Sequence, residues 1–179
     1  RQDIIWHKPN SMPESVKDRC TKAHEYIFLF SKSRKYYYDY EAIMESAAYD
    51  GRKDTKMKDS RKYSQQQTFA ARGHERWRYK DGRYVCNKRS VWKVSTCRYK
   101  GSHFAVFPQE IIVDCVKAGC PPNGIVLDPF MGAGTTAIVA SKLNRNFVGM
   151  ELNEKYIRIA EKRLHDELGV FYTECLSSI

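Results

Sequence analysis

The chain has 179 residues, 42% of them hydrophobic, and a formal net charge of +10 from 31 Lys and Arg against 21 Asp and Glu. That length holds one domain with a real core, or one domain plus a small insert. No apolar run reaches the length of a membrane span, no signal peptide is evident, and the six cysteines form neither a CxxC pair nor a His/Cys zinc spacing, so the composition argues against secretion, a membrane protein and a metal site and suits reduced thiols in a cytoplasmic protein.

Residues 3–8 predict a strand rich in β-branched and aromatic side chains, stopped by Pro9 and Pro13. Residues 11–22 form a polar loop. Residues 24–30 are the next strand, and their nearly continuous apolar run fits a strand covered on both faces. His24 lacks a second His at a metal-binding offset and reads as a satisfied histidine at a strand end. A turn at 31–34 returns the chain as a strand over 35–39, so that 24–30 and 35–39 make a hairpin at the antiparallel edge of the sheet. Alternation puts Tyr36 and Tyr38 on one face of it and Tyr37 on the other. Residues 41–49 carry a short helix at most.

From residue 50 to about 89 the chain becomes basic and poor in apolar residues, as a loop is. Residues 51–100 hold 16 Lys and Arg against 4 Asp and Glu, while the rest of the chain is nearly balanced. Trp77, Tyr79, Tyr84 and Val85 give a small apolar anchor among Arg72, Arg76, Arg78, Lys80 and Arg83. So local an excess points to a polyanionic partner. A solvated basic loop or an import-type signal is the plainer alternative.

Residues 90–94 return towards the sheet as a strand. Pro108 suits a helix start, residues 110–118 place Ile111, Ile112, Cys115 and Val116 at helical spacing, and Gly119 stops the helix. Residues 125–127 then form a short apolar run ending in Asp128, which predicts a buried parallel strand. Gly132 and Gly134 make a turn, Thr135 and Thr136 open a helix through Lys142, and a second strand over 147–150 ends in Glu151. Asn153 caps a last helix with an apolar stripe of Ile157, Ala160, Leu164 and Leu168. Glu154 and Arg158, and Glu161 and His165, are spaced for surface pairs. Gly169 ends it, and residues 170–179 form a tail with no assigned structure.

Strand, glycine loop, helix, strand, acid is the first half of a Rossmann-like βαβ unit. Glycines at 132 and 134 permit backbone angles and close ligand approach that a Cβ would block. Glu151 lies 17 residues beyond Gly134, where an acid can accept hydrogen bonds from a ribose diol. A purely structural glycine turn is the alternative. The loop departs from GxGxxG, and an acid beside it repels a pyrophosphate but suits a cationic or zwitterionic ligand. That favours S-adenosylmethionine over NAD.

The stretch Asp128-Pro129-Phe130-Met131-Gly132-Ala133-Gly134-Thr135-Thr136 resembles the S-adenosylmethionine motif of the DNA amino-methyltransferases. Residues 1–35 and 89–165 also resemble the permuted (beta-class) subgroup, in which the catalytic region precedes the cofactor region. The resemblance implies an α/β fold: a partial Rossmann-like methyltransferase sheet with an antiparallel edge hairpin and a basic, loop-rich insert. It implies three parts and a tail: residues 1–49 from the catalytic half, a target-recognition insert over 50–89, and a cofactor-binding half over 90–169. The function implied is methyl transfer from S-adenosylmethionine to the exocyclic amine of cytosine (N4) or adenine (N6) in double-stranded DNA, in a cytoplasmic protein encoded by a bacterium or phage. A non-catalytic DNA-binding remnant and a nucleotide-dependent oxidoreductase are the alternatives.

The resemblance adds His103, Phe104 and Ala105 to the cofactor candidates, because His-x-Ala-x-Phe-Pro walls the methionine end in the family. It places the loop of Lys17, Arg19 and Lys22 near the target base or the DNA backbone, with a solvated surface loop as the equal alternative, and the arginines and lysine of the basic insert on phosphates and base edges. An aromatic near the tyrosine run faces the flipped base in the family. The family's Asp/Ser/Asn-Pro-Pro-aromatic catalytic segment is missing, since Pro121-Pro122 is followed by Asn123. The expectation is therefore a fragment whose catalytic residues cannot be named. Its catalytic strand would belong between the cofactor strand and the 3–8 strand. The resulting gap predicts self-association, or an upstream segment that completes the sheet.

Overall fold

The computed structural model describes residues 1–47, 78–80, 83–96 and 106–169. They fall in two units, Arg1–Asp39 with Ser90–Ile179, and Tyr40–Arg89.

In the first unit, strand β1 (Gln2–His7) pairs antiparallel with β2 (His24–Leu29) over six residues, from Gln2 opposite Leu29 to His7 opposite His24. Strand β6 (Val91–Lys93) joins the other edge of β1 in parallel, giving the order β2–β1–β6. Ile4, Trp6 and Trp92 are buried on one face, and the Trp6 indole donates to the Val94 carbonyl at 2.7 Å. The hairpin therefore joins residues 2–7 to 24–29, and no strand forms over residues 35–39. The full-length register between β1 and β2 already satisfies one edge of β2. The tyrosines instead pack on each other, with Tyr36 and Tyr38 edge to face at 6.4 Å, and the Asp39 amide donates to the Ala118 carbonyl.

The second half of this unit is built on α1 (Gln109–Gly119), β7 (Ile125–Asp128), α2 (Thr135–Lys142), β8 (Asn146–Gly149) and α3 (Glu154–Leu168). Strands β7 and β8 pair in parallel, with Ile125 opposite Asn146 and Asp128 opposite Gly149. Residues Thr135 through Ala140 of α2 are all buried. A helix apolar all round belongs in an interior, and this one is enclosed. Ala137 and Ile138 pack with Leu164, Met131, Phe147 and Leu168, while Val139 packs with Val116, Cys120 and Val126. Asn144, at φ +58°, turns the chain from α2 into β8, a conformation asparagine tolerates better than most residues. Asn153 caps α3 as expected, its side chain accepting from the Lys155 amide at 3.0 Å. Glu154 lies 4.0 Å from Arg158, whereas His165 approaches Asp166 rather than Glu161.

Two sequence expectations about strand cover are corrected. The 24–30 and 125–127 runs read as strands covered on both faces, yet each has an open apolar side. Tyr26, Phe28 and Phe30 are exposed along one side of β2, and Ile125, Leu127, Val148 and Met150 along one side of β7 and β8. Among the described residues β7 and β8 share no ladder with β2–β1–β6. On the edge of β1 away from β2, β6 pairs with Ile5–His7. The free edge on the hairpin side belongs to β2.

The second unit shows structure where the sequence suggested a basic loop. A 3-10 turn over Glu41–Ile43 leads to β3 (Glu45–Ser46), which pairs antiparallel with β5 (Arg83–Cys86), itself the hairpin partner of β4 (Arg78–Lys80). Ile43 and Val85 are buried, so the expected apolar anchor survives in part. Arg89 pairs with Glu45. Trp77 and most of the basic stretch lie outside the described residues.

Candidate active site

The turn from β7 into α2 stands at the carboxyl ends of two parallel strands, where open α/β sheets bind ligands. Asp128 ends β7 and its Oδ1 accepts the Phe130 amide at 3.0 Å, starting the turn. The ladder runs past the strands proper: the Met150 amide donates to Asp128 and the Met131 amide to Met150, both at 2.9 Å. The Gly134 amide then closes a tight turn on the Met131 carbonyl at 3.0 Å. Gly132 and Gly134 have φ of +53° and +79°, a region that penalises any side chain.

The two glycines serve different ends. A Cβ on Gly132 would meet nothing nearer than 3.9 Å, so its need is conformational. A Cβ on Gly134 would stand 3.0 Å from the Ala160 Cβ. Its missing side chain lets α3 approach the loop; the sequence reading had assigned that space to a ligand.

Glu151 follows β8 and binds back onto the loop. Its Oε2 accepts the Gly132 amide and its Oε1 the Asn153 amide, each at 2.9 Å. An ionised carboxylate has about four lone-pair directions, so each oxygen keeps capacity for a ligand hydroxyl. Phe130, two residues after Asp128, is 88% exposed, and Leu152, directly after Glu151, is fully exposed, leaving apolar surface close to each acid in sequence. The helix end of the loop is open as well. The first amide of α2 to meet a backbone acceptor is that of Ile138, on Gly134, and the amides of Thr135, Thr136 and Ala137 have no partner among the described residues.

Arg163 and Leu152 were absent from the sequence-level candidates. The Arg163 guanidinium donates to the Ala133 carbonyl at 2.5 Å and to the Thr135 hydroxyl at 3.2 Å, and lies 3.7 Å from Glu167. Its signal in the sequence was a charge three residues beyond Ala160, on the buried side of an amphipathic helix. Glu167 also takes Lys142 and Gln109. Burial raises the Glu167 pKa, but hydrogen bonds from Lys142 and Gln109 and the charges of Lys142 and Arg163 prevail and lower it.

Asp128, Pro129, Phe130, Gly132, Gly134, Thr135, Thr136 and Glu151 thus gather at one loop. His103, Phe104, Ala105, Arg72 and Arg76 lie outside the described residues. Arg78, Lys80 and Arg83 share the β4–β5 hairpin, with Lys80 exposed and opposite Arg83 in register. Lys17 and Lys22 are exposed on the polar loop after β1, where Glu14 engages Arg19 at 3.1 Å. Among the described residues no group of three or more His, Cys, Asp or Glu could hold a metal, and no helix is long and apolar enough to cross a membrane.

The sequence profile of the DNA methylase family matches residues 1–162. The chain is 46% identical over 164 residues to the type II methyltransferase M.SmaI of Serratia marcescens, aligning 92% of this chain with 46% of that protein. It is 42% identical over 167 residues to M.Cfr9I of Citrobacter freundii, aligning 93% of this chain with 45% of that protein. The chain therefore spans about half the length of these relatives. The fold is similar to the PvuII cytosine-N4-specific DNA methyltransferase, at TM-score 0.59 and 16% identity, covering 99% of this chain and 57% of that one. It is also similar to M1.HpyAVI in its SAM complex, at TM-score 0.56 and 23% identity, covering 92% and 61%. A loop built this way, in a chain matched along nine-tenths of its length, identifies the chain as a member of the DNA methylase family.

Proposed function

We propose that these residues form the cofactor-binding and target-recognition portion of a site-specific DNA methyltransferase, which uses S-adenosylmethionine to methylate the exocyclic amine of cytosine or adenine in double-stranded DNA. In this reading the βαβ half is part of a Rossmann-like methyltransferase sheet, and the unit Tyr40–Arg89 belongs to the target-recognition insert. The observation that carries the proposal is the glycine loop with Glu151 bound across it at 2.9 Å.

The residues fit the cofactor. Glu151 faces the loop with acceptor capacity for the two ribose hydroxyls. Phe130 and Leu152 offer apolar surface to a purine ring. Asp128 and Glu151 together disfavour a pyrophosphate, and the partnerless amides at the start of α2 suit a single carboxylate. When bound, S-adenosylmethionine supplies an electrophilic methyl on a sulfonium. The protein's part here is to hold and orient it. His103, Phe104 and Ala105 complete the methionine end in this proposal, and Lys17, Arg19, Arg72, Arg76, Arg78, Lys80 and Arg83 meet DNA.

Because residues 1–179 contain no Pro-Pro-aromatic segment, binding is the decisive readout. Titration calorimetry of the chain should show S-adenosylmethionine binding and NAD failing to bind or binding more weakly. Glu151→Ala should weaken the former roughly tenfold or more, because it removes a charged acceptor. Tighter binding of NAD would overturn the proposal.

A further inference from the structure

We propose that Met131 is a positioning residue for Glu151: its side chain, seated on the bare face of Gly149, sets the height of the glycine loop above β8. This rests on the reading of the loop as an S-adenosylmethionine site. Two successive hydrogen bonds tie the loop to the chain beyond β8. The Met131 amide donates to the Met150 carbonyl and the Gly132 amide to Glu151 Oε2, each at 2.9 Å. The carboxylate is thus held to the loop by the amide of Gly132, which has no side chain of its own to fix its place. Met131, the residue before it, has one.

Side chains alternate along β8. Val148 and Met150 are exposed on one side, while Phe147 and Gly149 lie on the other, where Phe147 packs with Ala137, Ile138 and Leu164. Met131 packs with the same cluster. It fills the space that Gly149 leaves. A Cβ built on Gly149 would overlap the Met131 Sδ and stand 3.0 Å from its Cε and 3.1 Å from its Cγ. Gly149 lies outside the positive-φ region that Gly132 and Gly134 occupy. Its backbone therefore does not demand glycine; the thioether resting on it does.

Glu151 follows Gly149 by two residues and turns to the loop through its bond to Gly132. Met131 is joined to both neighbours of this acid: its backbone to Met150 just before it, its next residue to the carboxylate. Its side chain is the spacer between loop and strand. A shorter side chain lets the loop sink towards β8. A side chain on Gly149 pushes the thioether, and the loop with it, away from the strand. Either change draws the Gly132 amide off Glu151 Oε2, and the carboxylate loses its fixed bearing. In the proposed site that bearing is what presents its remaining lone pairs to the ribose diol. Met131 therefore acts through Glu151, and its effect falls on the two ribose hydroxyls.

The test uses S-adenosylhomocysteine and its 2′,3′-dideoxy analogue, which lacks both hydroxyls. Binding of each is measured by calorimetry to the wild-type chain, Met131→Ala, Met131→Leu and Gly149→Ala, with folding followed by circular dichroism. The wild-type chain should prefer S-adenosylhomocysteine by about tenfold or more. Met131→Ala and Gly149→Ala should each weaken S-adenosylhomocysteine about fivefold or more and the analogue less than about twofold. Met131→Leu restores most of the volume and should recover most of the preference. Adding Gly149→Ala to Met131→Ala should cost less than about a further twofold, because the new Cβ then meets no thioether. Equal losses for both ligands would reduce the pair to packing and overturn the inference, as would additive losses in the double variant. If Met131→Ala fails to fold, Gly149→Ala, which adds bulk where the other removes it, decides by the same ratio. A wild-type chain that binds neither ligand would overturn the cofactor reading itself. A wild-type preference that survives in the variants overturns only the role of Met131.

Discussion

At the scale of single residues, the loop rests on two backbone conformations and one carboxylate. Gly134 joins a φ of +79° to a close approach by Ala160. Either alone penalises a side chain, so Gly134→Ala should destabilise the chain by about 1–3 kcal/mol in urea unfolding. Gly132→Ala faces open space and should cost only the conformational part, about 1 kcal/mol. If the two variants unfold alike, the packing role of Gly134 is wrong. Glu151 is read here as both a ribose acceptor and the latch that holds Gly132 through its amide. A single substitution there should disturb loop and ligand together.

At the scale of elements, α2 is the centre of the βαβ half. Ile138 is fully buried between Leu164 and Phe147. Ile138→Ala should cost about 2–5 kcal/mol, the range for truncating a well-enclosed aliphatic side chain. The three helices meet at Glu167, which takes Gln109 from α1, Lys142 from α2 and Arg163 from its own helix. Its pKa is lowered in the folded chain. The folded state therefore binds this proton less readily than the unfolded one. The stabilisation is fully present above the ordinary glutamate pKa and is lost as pH falls through the depressed folded value. Glu167→Gln should remove that part of the acid limb of a stability–pH profile. It should cost about 0.5–1.5 kcal/mol at neutral pH, a modest figure because the pair is partly solvated. An identical acid limb in the variant would show that the carboxylate is not coupled to folding.

At the scale of the whole molecule, the uncovered apolar surface is the dominant feature. The stacked Tyr26 and Phe28 rings, 5.9 Å apart, continue to Phe30 along β2, next to that strand's free edge. Ile125, Leu127, Val148 and Met150 form a second apolar face on β7 and β8. Exposed strands of this kind recruit other chains. Sedimentation of the chain at micromolar concentration should show oligomers. Phe28→Lys combined with Leu127→Lys should shift it towards monomer, and a wild-type monomer would refute the expectation. The basic stretch makes a separate prediction. If a third of its 16 Lys and Arg meet phosphate, DNA affinity should fall with a log–log salt slope of roughly −4 to −5.

The glycine loop was legible in the sequence because its determinants are local. Positive φ needs glycine, a strand-end acid follows at fixed spacing, and Asn153 announces the next helix. The βαβ half needed little more, since α1, β7, α2, β8 and α3 each have their own period and stop signal. Tertiary structure decided what depends on partners distant along the chain. The choice of β1 over residues 35–39 as the mate of β2 rests on a six-residue register that no short window contains. The strand pairs at Glu45–Ser46 and Arg78–Cys86 stabilise a basic segment whose composition alone suggests a loop. Which face of an apolar strand is covered depends on what packs there, so Leu127 and Phe28 looked interior and are exposed. Arg163 looked like surface charge because a sequence shows the helix that carries it, while its role is set by the loop carbonyl that α3 brings within reach.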